Sequence, residues 1–390
     1  MDPTRLPKVG IICDFREEDW PSMDLVASQL FHHLQNEHSH QLTAKQLCPP
    51  FHRRLTSIQT GAGKRFNADR FLNRFWDYPR FLQRQVNQFD LFHLVDHSYA
   101  QMLHELPAER TVVNCHDLDT FRCLLDPAAE PRSIFFRRMM ARSLKGFRKA
   151  ARVACVSNAT RDELLGFDLV PANRVVVVPN GVHPVFSAEP DAKADKALAE
   201  LVGAASPGQI EILHVGSTIP RKRIDVLLTT LAKLKSMRDL FPKLRLLRVG
   251  GSFTKEQLAL ADSLGVREAI AILPHLDIDL VAAAYRRAVL VLQPSEREGF
   301  GLPVVEALAC GTQVIASDIP VLREVGGDAV TYCPVGEVDL WTSAIVEALL
   351  VRREDSESWQ THREKGIAQA AKFSWTEYAR KMVALYQELL

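Results

Sequence analysis

The feature that most constrains this chain is a series of short, unbroken apolar runs, rich in β-branched residues, alternating with helical stretches over almost its whole length. One series is Val9–Cys13, Leu91–Val95, Thr111–Cys115, Arg152–Val156 and Val175–Val178. A second is Ile210–Val215, Leu244–Val249, Ala271–Leu273, Val289–Leu292 and Val314–Ala316. A strand with one wet face alternates apolar and polar residues, whereas a parallel strand covered on both faces is apolar throughout. Helical patterns such as Leu25–Leu34, Ile224–Lys235 and Val304–Leu308 fill the intervals. The expectation is an α/β protein of doubly wound parallel sheets. At 390 residues it exceeds one ordinary core and suits two domains.

The rhythm lapses once, in SAEPDAKADKALAELVGAASPGQ, which is bounded by Pro190 and Pro207–Gly208 and holds no strand pattern. The expected division is a first domain over 1–186, a linker over 187–208, a second domain over 209–372 and a terminal helix over 373–390. That helix is amphipathic, with Tyr378, Met382, Leu385, Tyr386 and Leu389 along one side.

Several functions are set aside by composition and motif. Lys plus Arg number 48 and Asp plus Glu 47, a balance unlike that of a nucleic-acid binder. No apolar run approaches the roughly 20 residues of a membrane span, and MDPTRLPKVGIICDF lacks the apolar region of a signal peptide. The seven cysteines form no C-x-x-C pair and read as reduced core residues of a cytoplasmic protein. There is no G-x-S-x-G elbow, G-x-x-x-x-G-K-[ST] loop or H-E-x-x-H helix. His93 and His97 do not converge as a metal pair in a strand, and the only D-x-D spacings are Asp117–Asp119 and Asp277–Asp279, so no metal is expected.

Two stretches carry chemistry. In PSEREGFGLPVVEALACG, Glu298 and Glu306 flank Gly299-Phe300-Gly301-Leu302-Pro303, a Gly-rich turn leading into a helix. Such a turn offers backbone N–H groups and the positive end of a helix dipole to a phosphate. Glu306 is suited to ribose hydroxyls, and Glu298 to sugar hydroxyls. In HVGSTIPRKRIDVLL, Gly216 and Ser217 begin a small-residue loop after a strand, and Arg221-Lys222 lead into a helix. Two cations there suit a diphosphate that no metal neutralises. Both stretches fall at carboxyl ends of strands, where α/β sheets bind ligands.

On these residues the sequence resembles the retaining glycosyltransferases of family 4, whose GT-B fold has two facing Rossmann-like domains with a cleft between them. The resemblance spans nearly the whole chain. It rests on the E-x7-E of Glu298 and Glu306 with GFGLP between, Pro220-Arg221-Lys222, VPNGVHPVF (Val178–Phe186), CVSNATRDEL (Cys155–Leu164) and the FSW of Phe373–Trp375. It implies that Arg221 and Lys222 hold the donor diphosphate and that Glu306 binds ribose. Glu298 and the amides of Phe300, Gly301 and Leu302 would hold sugar and phosphate, with His275 on the same donor side. The terminal helix would return to the first domain.

In NCHDLDTF, His116-Asp117 follow a first-domain strand, where the family places a histidine against the transferred sugar. FHLVDHSYA offers Asp96, His97 and Ser98 at a neighbouring strand end for sugar or acceptor. The sequence departs from the family in the loop after its first strand, DFREEDWPSMD, which has no glycine, so Ser22 and nearby amides would substitute. The expected reaction is metal-independent transfer of a hexosyl group, with retention, from a nucleotide sugar to a sugar, glycan or glycolipid hydroxyl. His116, Glu298, Arg221 and Lys222 are the expected catalytic residues. Guanine and uracil both remain open, with a leaning to GDP-mannose. Alternatives are an epimerase or sugar phosphorylase on the same fold, and a catalytically silent nucleotide-sugar-binding regulator.

Charge is uneven. Residues 131–152 hold eight basic side chains and no acidic one, interleaved with Phe135, Phe136, Met139, Met140, Leu144 and Phe147. A second basic stretch covers 53–84. The readings are a solvated helix face or attraction to an anionic membrane surface.

Overall fold

The structure, a computed structural model, describes residues 5–57, 63–204, 206–237 and 239–390. Parts of the N-terminal lead (1–4), of the second basic stretch (58–62) and of the expected linker (Ala205) lie outside the described residues. The chain forms two units, Met1–Gly181 with Trp375–Leu390, and Val182–Ser374.

The first unit has one six-stranded sheet: β1 (Lys8–Ile12), β2 (Thr43–Leu47), β3 (Leu91–Leu94), β4 (Thr111–Cys115), β5 (Arg152–Cys155) and β6 (Val175–Val177). All pairs are parallel, in the order β2-β1-β3-β4-β5-β6. The chain leaves β1 to one side for β2 and returns on the other for β3, so the crevice between connections opens at the carboxyl ends of β1 and β3. The helix Trp375–Gln387 belongs to this unit and buries Trp375, Tyr378, Met382, Val383 and Tyr386 with Val9, Ile11 and Leu30. A buried polar chain fixes it to the sheet. The Tyr386 hydroxyl bonds His93 Nδ1, His93 Nε2 donates to Asn114 Oδ1 at 3.0 Å, and Asn114 Nδ2 donates to the Tyr378 hydroxyl at 2.7 Å. Burial pushes the His93 pKa down to about 4, in keeping with a neutral ring that donates on one side and accepts on the other.

The second unit repeats the plan with β7 (Ile210–Val215), β8 (Leu244–Val249), β9 (Ile270–Ile272), β10 (Leu290–Gln293), β11 (Gln313–Ser317) and β12 (Val330–Cys333). Their order is β12-β11-β10-β7-β8-β9, all parallel. Its crevice lies at the carboxyl ends of β7 and β10.

The expected linker is corrected. Its residues carry the helix Ala192–Val202, which belongs to the second unit. Asp191 caps it by accepting from the Lys193 and Ala194 amides, Ala194 and Leu198 are buried, and Asp195 pairs with Arg286 at 2.8 Å. A segment rich in Ala and Lys is a good helix former, and Ala194 and Leu198 lie four apart on its buried side.

Candidate active site

At the switch of the second sheet, Gly216 follows β7 and a single 3-10 turn, Pro220–Lys222, brings two cations back over the strand ends. Lys222 Nζ donates to Glu298 Oε1 at 2.5 Å, and Arg221 Nη1 lies 3.6 Å from Glu298 Oε2. Arg221 also donates to the Arg297 carbonyl at 2.9 Å, while its own carbonyl accepts from the Glu296 amide at 2.9 Å. The two loops are thus laced together. Gln293, the last residue of β10, donates to Glu298 Oε1 at 2.5 Å and to Ser295 Oγ at 3.1 Å. Burial works to raise the Glu298 pKa, but Lys222 and then Arg221 outweigh it and hold the carboxyl below its ordinary range. The site is therefore a desolvated carboxylate carrying two cations at the end of β7.

The turn after Glu298 ends at Gly301, whose φ of 94° opens the helix Leu302–Ala309. That φ favours glycine, and a Cβ there would also press on the Leu322 side chain at 2.7 Å. Phe300 is buried edge-on against Phe373, with ring centroids 5.5 Å apart, and Pro303 sits in the first turn. Glu306, one turn in, accepts from the Tyr285 hydroxyl at 2.9 Å. Burial pushes its pKa up to about 7, and the Tyr285 bond only partly opposes that. Ser217 is exposed in the loop after β7; His275 is exposed after β9, with β8 between its strand and β7.

The first unit has a second cluster at its own switch. Asp14, just past β1, and Asp96, just past β3, are both buried. Burial and then the Asp96 charge drive the Asp14 pKa well up. Burial opposes ionisation of Asp96 too, yet His97 and His116, with the Ser98 hydroxyl and amide, hold it down. The two carboxyls are thus pushed in opposite directions, as happens where two close carboxyls compete for one charge. His116, after β4, donates from Nε2 to the Val95 carbonyl at 2.7 Å, and its amide is 3.5 Å from His97 Nδ1. Burial lowers the His116 pKa against the pull of Asp96. His97 Nε2 is 3.8 Å from Asp117 Oδ1. So Asp96, His97, His116 and Asp117 come together. Ser22 does not join them in any hydrogen bond described here; it is exposed in the first turn of the helix Pro21–Asn36. In the glycine-free loop, Glu18 accepts from the Tyr99 hydroxyl at 2.8 Å and pairs with Arg70 at 2.7 Å and Arg74 at 3.4 Å.

Two sequence families match. The profile described as Glycosyl transferases group 1 covers residues 202–365, and that described as Glycosyltransferase Family 4 covers 26–186. The chain belongs to glycosyltransferase family 4. It is 29% identical over 287 residues to the O-antigen chain mannosyltransferase B of Escherichia coli, covering 72% of this chain and 71% of that one. It spans 34% and 52% of the length of two further relatives. Among solved structures, sucrose-phosphate synthase from Thermosynechococcus elongatus superposes with a TM-score of 0.75 at 19% identity, covering 99% of each chain. The Anabaena protein HepE in complex with UDP and glucose gives 0.71 at 16% identity, over 98% of this chain and 100% of that one. These likenesses place this family 4 glycosyltransferase in the GT-B fold, with two parallel α/β domains.

Sequence reasoning missed four members of this family 4 enzyme's two clusters: Gln293, Asp14, Glu18 and Arg74. Gln293 is a lone polar residue closing an apolar strand, and Asp14 follows a strand in the same way. That shared position, one polar side chain at the carboxyl end of a parallel strand, is the signal that could have found both. Among the described residues no group of three or more His, Cys, Asp and Glu side chains is arranged to hold a metal, and no helix is long and apolar enough to cross a membrane.

Proposed function

We propose that this glycosyltransferase moves a hexosyl group, with retention of configuration, from a nucleoside diphosphate sugar to a hydroxyl of a sugar, glycan or glycolipid. The observation that carries this reading is the Lys222–Glu298–Arg221 constellation at the β7/β10 switch. It presents cations to a diphosphate without a metal and places a Gly-capped helix start beside them. In the reaction the bond from the anomeric carbon to the β-phosphate oxygen breaks. The acceptor oxygen bonds to that carbon on the same face, and its proton passes to the departing phosphate. Lys222, Arg221 and the amides of Phe300, Gly301 and Leu302 stabilise the charge that develops on the leaving group. Glu298 holds the two cations and faces the sugar, Glu306 takes the ribose, and Gly216, Ser217, Gly299 and His275 complete the donor side. His116, with Asp96, His97, Asp117 and Ser22, serves the sugar or acceptor.

The donor reading leans to GDP-mannose, supported by the mannosyltransferase named among its relatives; HepE, described with UDP and glucose, keeps UDP sugars in play. Incubation with GDP- and UDP-hexoses and a hydroxyl acceptor, followed by NMR of the product anomer, tests the reading. A product of the donor's own configuration, formed equally in EDTA, supports it; inversion, or loss in EDTA with rescue by Mn²⁺, contradicts it. Turnover without any acceptor favours the epimerase alternative.

A further inference from the structure

We propose that Arg248, packed beside the neutral ring of His214, is a positioning residue for the donor diphosphate, supplying from beneath the loops after β7 and β8 a positive charge that only a bound anion balances; this rests on the donor reading above.

Arg248 lies near the end of β8 with 0% of its surface exposed. Among the described residues no carboxylate pairs with it. Its guanidinium donates to the Val249 carbonyl and, at 3.3 Å, to the Gly250 carbonyl, its carbon lies 5.8 Å from the Phe253 ring centroid, and Nε has no partner. Burial lowers its pKa to about 10, which leaves it charged at neutral pH. A buried cation without a counter-charge is costly, so its retention calls for a reason.

His214 is its register partner on β7, also fully buried, and neither ring nitrogen has a partner. Burial, then Arg248 and Lys222, press its pKa well below the ordinary value, so the ring is neutral. Its Cε1 would lie 3.5 Å from a Cβ at Gly216, and Lys222 Cε 3.8 Å from the same point. Gly250 has φ +112°, and a Cβ there would meet the Gly216 carbonyl oxygen at 2.1 Å, so the two turns press together above these side chains. The acid of this cluster, Glu298, is already engaged by Lys222, Arg221 and Gln293. Arg248, His214 and Lys222 thus converge under one pair of glycine turns with net positive charge. In a low-dielectric setting that charge favours a dianion over a neutral ligand at the same turns. Carbonyl bonds alone would need only a neutral donor; the cation is the part that an anion explains.

The test is calorimetric titration of the whole chain with inorganic pyrophosphate and with a nucleoside, its monophosphate and its diphosphate, for the base the wild type prefers. Arg248→Gln keeps a polar amide and removes the charge. It is expected to weaken diphosphate and pyrophosphate binding about tenfold, monophosphate about threefold and nucleoside less than twofold, while Arg248→Lys restores most of the affinity. His214→Leu removes no charge and serves as the control, losing less than twofold for every ligand, and Arg248→Met carries the test if Arg248→Gln fails to fold. Equal losses along the series in the Arg248 variants, or none, overturn the proposal and leave Arg248 a pin for the β8 turn. Wild-type protein that binds no nucleoside diphosphate of any base overturns the donor reading, and this proposal with it.

Discussion

The two sheets share parallel pairing and a reversal of strand order, yet their switch points carry different chemistry. At β7 and β10 the loops bring Arg221 and Lys222 onto one ionised carboxylate, Glu298. At β1 and β3 they bring together Asp14 and Asp96, faced by His97 and His116. The first arrangement suits a polyanion; the second, with two buried carboxyls faced by two imidazoles, suits hydroxyl groups that both donate and accept. Parallel α/β winding decides where a ligand is met, and the few residues just past the strand ends decide which ligand.

That contrast breaks most visibly at Lys222. Lys222→Ala leaves Glu298 buried with its main partner gone, a loss worth about 3–5 kcal/mol for a buried pair. Lys222→Ala with Glu298→Gln should recover much of that stability in urea unfolding, and recover no turnover. Full stability in the single variant would mean that the pair is solvated. Glu306 gives the next effect, with its sign fixed by its raised pKa. A carboxyl whose folded pKa lies near 7 stabilises the fold below its unfolded value and loses that contribution as pH rises through about 7. Glu306→Gln should therefore be more stable than wild type at pH 8 by up to about 3 kcal/mol, with the gap closing towards pH 5. Nucleotide affinity of the wild type should also rise across pH 6–8, as the carboxylate forms that is proposed to accept from ribose. A pH-independent gap would place Glu306 in contact with water.

Much of this was legible in the sequence, and what was not has a common cause. Ten of the strands announce themselves as apolar runs because both faces are covered. The two missed, β2 and β12, are edge strands: TAKQL alternates exposed and half-buried residues, and VTYC exposes Thr331. Likewise Arg221, Lys222, Glu298 and Glu306 could be singled out because Gly-rich turns and charges stand together in the chain. Asp14 and Asp96 stand 82 positions apart in the numbering and meet only because β1 and β3 are neighbours. Arg248 and His214 are hidden for the same reason, each a polar residue inside an apolar run.

The first unit offers smaller tests. Asp96→Asn removes the charge that faces His97 and His116 and should cost about 2 kcal/mol at pH 7, whereas Asp14→Asn, at a carboxyl whose pKa burial and Asp96 push well up, should cost less than about 1. Equal costs in urea would mean that both carboxyls are ionised. Smallest is the surface effect. Ile134 and Phe135 are 71% and 64% exposed at the start of the all-basic helix Ile134–Phe147, and Phe71 brings the second basic stretch beside Phe135 at 5.5 Å. Flotation with anionic vesicles should exceed that with neutral ones and weaken with salt, each basic residue near the surface adding about 1 kcal/mol. No difference between the vesicles makes this an ordinary solvated face.

The most direct test of the division between the two switch points is calorimetry of nucleoside diphosphate binding to Lys222→Ala and His116→Ala, beside their turnover rates. Lys222→Ala should lose about tenfold or more in affinity, the worth of a charged hydrogen bond, and lose turnover with it. His116→Ala should keep wild-type affinity while turnover collapses, if its imidazole serves sugar or acceptor and not phosphate as proposed. A folded His116→Ala protein that loses nucleotide affinity as badly as Lys222→Ala would contradict the assignment of the diphosphate to the second unit alone.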